Sequence, residues 1–360
     1  MMAHKFIWIF LIAILFESCL EELPYDTTLR SQSFVVNGGV NNLKENQTIR
    51  LSKTLAYGVP PAPVSGAQVK VIENNTKEYL FSENKSGEYI LNKDKYDPKI
   101  GATYAIRISY NGQNYQSTPE VMLVPIVPDS ITWTVKHETV LSSAGIPRLI
   151  DGVQLYVHTP IVNSDKNINL KWDVQSAFQF TTITECNPFK TVYTCYFGKT
   201  LNPSQIRIYS NEDNGESYLH GEDVGYENLE IGYQFLENHY YSVYQYRLSK
   251  FAFEYYRKLR LVSEQNGTIF DPIPASVKSN VYNPQNNSES ILGLFQVASV
   301  AVIRKRVVAS DFRGLHVLPT KDFDYCGWRN GNNPNSTYFP ACCDCNQLKD
   351  PKIIKPDWWN

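Results

Sequence analysis

Residues 239–265 read HYYSVYQYRLSKFAFEYYRKLRLVSEQ. How this stretch folds decides whether the second half of the chain is all strand or carries a helix. It holds neither glycine nor proline. Tyr244, Leu248, Phe251, Tyr255, Leu259 and Val262 recur at steps of three and four, the spacing of one helix face. One long amphipathic helix is expected over about 238–264, closed by Asn266-Gly267. Tyr240, Tyr241, Tyr244, Tyr246, Tyr255 and Tyr256 then surround that helix. Most should pack on a core, and the excess offers contact to a partner.

On either side the pattern is strand and turn. SFVVNGGV (33–40) is an apolar run stopped by Asn37-Gly38-Gly39, and QTIRLSKT (47–54) alternates. After a proline-rich connector come AQVKVIEN and KEYLFSE, a hairpin around Asn74-Asn75. GEYIL, ATYAIRISY and QNYQSTPE follow, with Asn111-Gly112 as a hairpin turn between the last two. Short strands at this density predict an immunoglobulin-like β-sandwich over 33–124. PIVPDSITW supplies a linker at 125–130. A larger β-rich domain spans 131–360, where Leu170, Trp172 and Val174 alternate onto one face and Gly293 marks a bulge in SILGLFQVASVAVIRKRVV. The fold class expected is mostly β, with one long amphipathic helix and a Cys-rich tail.

The N-terminus carries the address. Lys5 precedes FIWIFLIAILF (6–16), an apolar run too short for the roughly 20 residues that cross a bilayer. It ends at Ser18-Cys19, so 1–18 reads as a lipoprotein signal peptide and Cys19 as the acylated mature N-terminus, followed by a tether at 19–32. Removing Cys19 leaves six cysteines: Cys186, Cys195, Cys326, Cys342, Cys343 and Cys345. An even number in an exported chain reads as a disulfide set. Cys186 and Cys195 flank a loop-like insert and are expected to pair. The four near the C-terminus can also hold zinc tetrahedrally, but CC-x-C lacks paired C-x-x-C knuckles.

Net charge is −2 with no basic stripe, so nucleic acid is not an expected partner. Aromatic residues make up 13 % of the chain, and 24 of them are tyrosines, which suit strands and recognition surfaces. The six histidines, His4 in the signal and His137, His158, His220, His239 and His316, show no metal spacing, and no G-x-S-x-G or phosphate-cradling glycine motif occurs. SNEDNGESYLHGEDVGYENLE (210–230) is read as a solvated acidic loop; its oxygens suit calcium, but not at EF-hand spacing. No catalytic, metal or cofactor residues are therefore assigned.

FVVNGGV, QTIRLSKT, VPPAPVSGAQVKV, YAIRISY, VPDSITW, SKFAFEYYRKL, DPIPASVKSNV, ILGLFQVASV and the CCDC…IKPDWW tail together resemble the Bacteroidota lipoprotein family called domain of unknown function 4249. The likeness runs from about Ser33 to Asn360. It implies an outer-membrane lipoprotein encoded beside a TonB-dependent transporter, and no catalytic residues. The same resemblance gives Glu21 and Glu22 the meaning of an export signal to the outer face. It also makes Asp26-Thr27-Thr28 and Asp129-Ser130-Ile131 similar to an O-glycosylation pattern, with Thr27 and Ser130 as acceptors. The expected function is a non-catalytic accessory or binding subunit of that barrel. The rivals are a subunit of an outer-membrane assembly machine, a surface hydrolase or peptidase, and an adhesin.

Overall fold

The computed structural model describes residues 32–359 except 56–58, 142–144, 162–166, 183–191, 213–215, 230–231, 236, 265–276, 313–340 and 342–343. Cys19, Glu21, Glu22 and Thr27 lie outside the described residues, as do Cys186, Cys326, Cys342 and Cys343.

The chain is mostly β. Its first part gives β1 (Phe34–Val40), β2 (Gln47–Lys53), β3 (Ala62–Pro63), β4 (Gln68–Glu73) and β5 (Lys77–Leu80). Next come β6 (Ser82–Lys85), β7 (Glu88–Leu91), β8 (Thr103–Tyr110), β9 (Gln113–Ser117) and β10 (Glu120–Val121). The second part contributes β11 (Ser130–Leu141), β12 (Pro147–Pro160), β13 (Asn169–Thr181), β14 (Thr194–Leu201) and β15 (Arg207–Ser210). Then follow β16 (Tyr218–Leu229), β17 (His239–Leu248) and helix α1 (Lys250–Glu264). The last strands are β18 (Val281–Tyr282), β19 (Ile291–Val297), β20 (Ser299–Val307) and β21 (Lys352–Ile353).

Two sheets form the first sandwich, in the orders β19-β1-β2-β7-β6, with β3 on β2, and β18-β9-β8-β4-β5, with β10 on β8. Between them lie Val36, Ile49, Leu51, Val71, Tyr104, Ile106 and Phe295, all nearly sealed from water. Local turn chemistry sets the hairpins. Asn111 and Gly112 sit at φ 48° and 75°, the left-handed pair that the two-residue β8–β9 hairpin needs, and Asn74 and Asn75, at 50° and 61°, open the three-residue connection between Glu73 and Lys77. The asparagines tolerate that region better than any other side-chain-bearing residue.

Two strands of this sandwich come from far along the sequence. β19 pairs with β1 in parallel over all seven residues, Phe34 with Ile291 through Val40 with Val297, and β18 pairs with β9. The segment 281–297, expected in the second domain, completes the first. Asn37-Gly38-Gly39 does not stop β1 but lies within it. A Cβ on Gly38 would strike the Thr48 carbonyl, and one on Gly39 would strike the Gln296 carbonyl. These glycines let β1 fit between its two neighbours. Gly293 (φ 88°) meets the Val36 carbonyl in the same way, and the β1–β19 register runs past it unbroken, so it marks close approach and not a bulge.

The second sandwich places the sheet β11-β12-β16 against β20-β17-β13-β14-β21, with β15 on β13. Leu170, Trp172 and Val174 point into its core as their alternation predicts, beside Val153, Leu155, Val157, Tyr241 and Val243. The 210–230 segment is largely the strand β16 and not a solvated loop.

The predicted 238–264 helix is two elements. Residues His239–Leu248 form β17, and only Lys250–Glu264 are helical. Ser249 makes the break: its side-chain oxygen accepts from the Ala252 amide at 3.1 Å, an N-cap. The inward face of β17 is His239, Tyr241, Val243, Gln245 and Arg247, all buried. Three of those five are polar, so the two-residue alternation is invisible to hydropathy, while the tyrosines mimic a helical stripe.

Candidate functional site

Helix α1 packs Ala252 and Phe253 against Ile208 and Leu248 of the second sandwich and Leu294 of β19. It therefore rests on both sandwiches. Beside it opens a cleft of about 440 Å3. One wall is β1, β2 and β19, through Asn37–Asn41, Glu45–Thr48, Leu294 and Gln296. The other is Lys171 and Asp173 of β13, Tyr246 of β17, and Tyr255, Tyr256 and Leu259 of α1.

The first wall is built by a loop between β1 and β2. The Asn41 side chain accepts from the Leu43 amide at 2.8 Å, and the Asn41 amide donates to Gln47 Oε1 at 2.8 Å. Asn42 reaches across to the second sandwich, donating to the Val300 carbonyl at 3.1 Å and accepting from its amide at 2.5 Å. The second wall is aromatic and ionic. Lys171 Nζ donates to Asp173 Oδ1 at 2.6 Å and lies 4.7 Å from the Tyr246 ring centre and 5.4 Å from that of Tyr256. An ammonium over ring faces is attracted by their quadrupoles. The Tyr256 hydroxyl donates to Gln296 Oε1 at 2.6 Å, joining helix to β19 across the floor. Tyr255 stands edge-on to Tyr256, centroids 5.7 Å apart.

Burial, then the nearby Asp173 carboxylate, pushes the Tyr256 phenol well above its ordinary range. Tyr246 is raised by burial, Asp173 and Glu45, and Tyr255 by burial. All three stay protonated near neutral pH and keep a donor hydrogen.

The cleft is held open by a fixed joint. Arg247 Nη1 donates to the Val124 carbonyl at 2.9 Å, and Gln245 Nε2 to the Ile126 carbonyl at 2.8 Å. These bonds take up backbone groups of the segment joining the sandwiches. Buried Glu120 accepts from Ser249 Oγ at 2.6 Å and Asn280 Nδ2 at 3.3 Å, tying β10 to the N-cap of α1. Burial raises the Glu120 carboxyl above its ordinary value, against those two donors. Gln245 Oε1 also accepts from Trp172 Nε1 at 2.7 Å and Thr159 Oγ1 at 2.8 Å.

A second polar cluster lies inside the second sandwich. Glu227 of β16 accepts from Ser176 Oγ at 2.9 Å and Tyr241 OH at 2.7 Å, and lies 3.1 Å from Lys199 Nζ. His239 Nε2 is 3.1 Å from Ser176 Oγ, and Nδ1 faces the Gln234 carbonyl at 3.2 Å. Burial opposes the Glu227 charge, yet His239, Lys199, Tyr241 and Ser176 together hold its carboxyl below the usual range. Burial pushes the His239 imidazole down. Serine, histidine and a carboxylate are the residue types of a nucleophilic triad, but the order here is different. The carboxylate binds the serine, not the far ring nitrogen, and Ser176, Glu227 and His239 are each at most 1 % exposed. This is a structural clamp across β13, β16 and β17.

Ser130 opens β11, its hydroxyl donating to Asp129 Oδ1 at 3.2 Å, and Asp129 also accepts from Tyr218 OH at 2.6 Å. Cys195 does not pair with Cys186; it bonds Cys345, with Cα atoms 6.3 Å apart. The bridge is buried among Phe178, Phe180, Phe197 and Leu348, a core that the tail completes. Burial among aromatic rings, not closeness in sequence, selects this partner. Among the described residues no three metal-ligating side chains converge, and no helix is long and apolar enough to cross a membrane. Of the cleft residues, the sequence marks only the α1 and β17 tyrosines as a recognition surface. The Gly38-Gly39 pair and Gly293 were the available signals for the rest.

The family model described as domain of unknown function (DUF4249) matches residues 21–304, a span that includes every residue lining the cleft. No curated protein matches the chain.

Proposed function

We propose that this chain, which belongs to the domain of unknown function 4249 family, is a lipid-anchored, non-catalytic binding subunit. In this reading it sits on the outer face of the outer membrane beside a TonB-dependent transporter or a similar barrel. The observation that carries the binding part is the cleft: a polar, tyrosine-lined space of about 440 Å3 between two sandwiches whose joint is fixed by buried hydrogen bonds. Concave sites with an aromatic wall and a few placed polar groups are where small ligands are held. A pre-formed cleft also loses little ordering entropy on binding. The anchor rests on the Ser18-Cys19 cut after a short apolar run and on the acidic Glu21-Glu22 behind it. A hydrolase needs a nucleophile open to substrate, which Ser176 is not.

The test is mild detergent extraction from native membranes followed by affinity capture. A TonB-dependent barrel should come with the chain in near-stoichiometric amount. Capture of the chain alone would sink the accessory reading, and capture of an assembly barrel would replace it with the assembly-machine reading. Mass spectrometry of the mature N-terminus should find a multiply acylated Cys19; an unmodified cysteine or another cut removes the anchor.

A further inference from the structure

We infer that the cleft takes a neutral, hydroxyl-rich ligand, a saccharide of about disaccharide size; the inference rests on reading the chain as a binding subunit. Three observations narrow the class. The first is charge. The faces of Tyr246 and Tyr256 are already covered by the Lys171 ammonium, itself bonded to Asp173 at 2.6 Å. A cationic ligand would meet Lys171 where the rings would otherwise attract it, and an anionic one would meet Asp173 and Glu45. The ring wall, its one ammonium and one carboxylate paired with each other, thus offers no net charge to a ligand of either sign.

The second is hydrogen bonding. Gln296 uses its oxygen for Tyr256 and, among the described residues, its amide nitrogen has no partner. Asn37 is exposed on the same wall with an amide that both donates and accepts. Asp173, whose side chain is 40 % exposed, and the exposed Glu45 add acceptors, and the Tyr255 phenol, held protonated by burial, adds a donor. Vicinal hydroxyls, which donate and accept alternately, match such a mixed rim. The third is the platform. Tyr255 and Leu259 give partly exposed apolar surface at the mouth. A pyranose ring offers a face of C–H bonds to such a surface while its hydroxyls point to the edge. The volume falls in the roughly 300–1,000 Å3 range of small-molecule sites.

The decisive experiment is titration calorimetry of the full mature chain in detergent. The probes are cellobiose, maltotriose, xylobiose, mannobiose and chitobiose, with galacturonobiose, spermidine and tetraglycine as anionic, cationic and peptide controls. At least one neutral sugar should bind. Its affinity should fall at least tenfold in Leu259→Trp, which fills the cleft, and in Tyr255→Ala, with melting temperatures unchanged. If either variant melts early, Gln296→Ala replaces it. Binding of a control in place of the sugars overturns the class, as does a sugar isotherm that both variants leave intact. Silence across all eight probes also overturns it. Barrel capture is read separately, so a failed sugar titration and a failed accessory role are told apart.

Discussion

The two polar clusters of the second sandwich use the same parts to opposite ends. In one, Glu227 faces Lys199, Tyr241, Ser176 and His239 with its side chain wholly sealed. In the other, Asp173 faces Lys171, Tyr246 and Tyr256 with its side chain 40 % open to water. The sealed carboxylate spends its acceptor capacity on its own sandwich and has nothing left for a ligand. The open one still faces water. Composition does not separate structure from site here; access to water does.

Removing the sealed carboxylate should therefore have the largest effect. Glu227→Ala leaves the Tyr241 and Ser176 donors without that acceptor and Lys199 without its counter-ion. The expected loss is about 3–5 kcal/mol, the usual result of breaking a buried pair from one side. Urea unfolding followed by tryptophan fluorescence measures it. A loss under about 1 kcal/mol would mean that the cluster is wet in solution and closer in kind to the cleft.

The Cys195–Cys345 bridge comes next. It joins residues 150 apart in sequence and pins the tail onto the Phe178–Phe197 core. Cys345→Ser should cost about 2–4 kcal/mol and leave sugar binding in the cleft unchanged. Thermal melts of the variant and of reduced wild type should agree. If the variant instead forms a Cys186–Cys195 bridge on peptide mapping, with no loss of stability, the tail is not part of this core.

How much of this was readable follows the range of the interactions. Asn74-Asn75 and Asn111-Gly112 announced their hairpins because a tight turn needs left-handed backbone at those two positions, which asparagine and glycine tolerate. Trp172 and its neighbours announced a core face because a strand alternates locally. β19 gave no sign that it would lie parallel to β1, since that pairing joins residues 257 apart and leaves no turn signal. β17 was hidden by its own buried polar face, and Ser249, the one local clue to the break, lies between Leu248 and Phe251 of an uninterrupted helical-spaced stripe. Cys186 looked right for Cys195 by distance along the chain, whereas the aromatic core around Cys345 exists only after folding. The cleft is assembled from β1, β2, β13, β17, α1 and β19, so its residues could be seen singly but not together.

Glu120 is an intermediate case, buried at the joint and not at either cluster. Burial raises its carboxyl, so the folded chain binds a proton more readily than the unfolded one. At neutral pH the charged form therefore costs stability, and that cost fades as pH falls through the folded value towards the ordinary carboxyl value of about 4.3. Glu120→Gln should be more stable than wild type near neutral pH, and the gap should close on acidification. Melting temperatures between pH 4 and 8 read it out. A variant less stable at neutral pH would show that the charged acceptor for Ser249 and Asn280 outweighs its burial.

The smallest stability effect is expected where the functional effect is largest. Asp173→Asn keeps the shape of the cleft wall but removes the counter-ion of Lys171. The pair is partly solvated, and such ion pairs contribute under about 1 kcal/mol, so the urea midpoint should barely move. The consequence is instead in the cleft. Lys171 keeps its place over Tyr246 and Tyr256 but is no longer neutralised by its neighbour, so the ring wall gains a positive charge whose nearest counter-charge in the lining is Glu45. Neutral-sugar affinity should fall with the lost acceptor, and galacturonobiose, excluded by the wild type, should begin to bind. Since added salt screens the unbalanced lysine, the new affinity should weaken between low and physiological ionic strength while that for neutral sugars stays flat. A variant that loses several kcal/mol would place Asp173 with Glu227 among the sealed groups and erase the contrast between the two clusters.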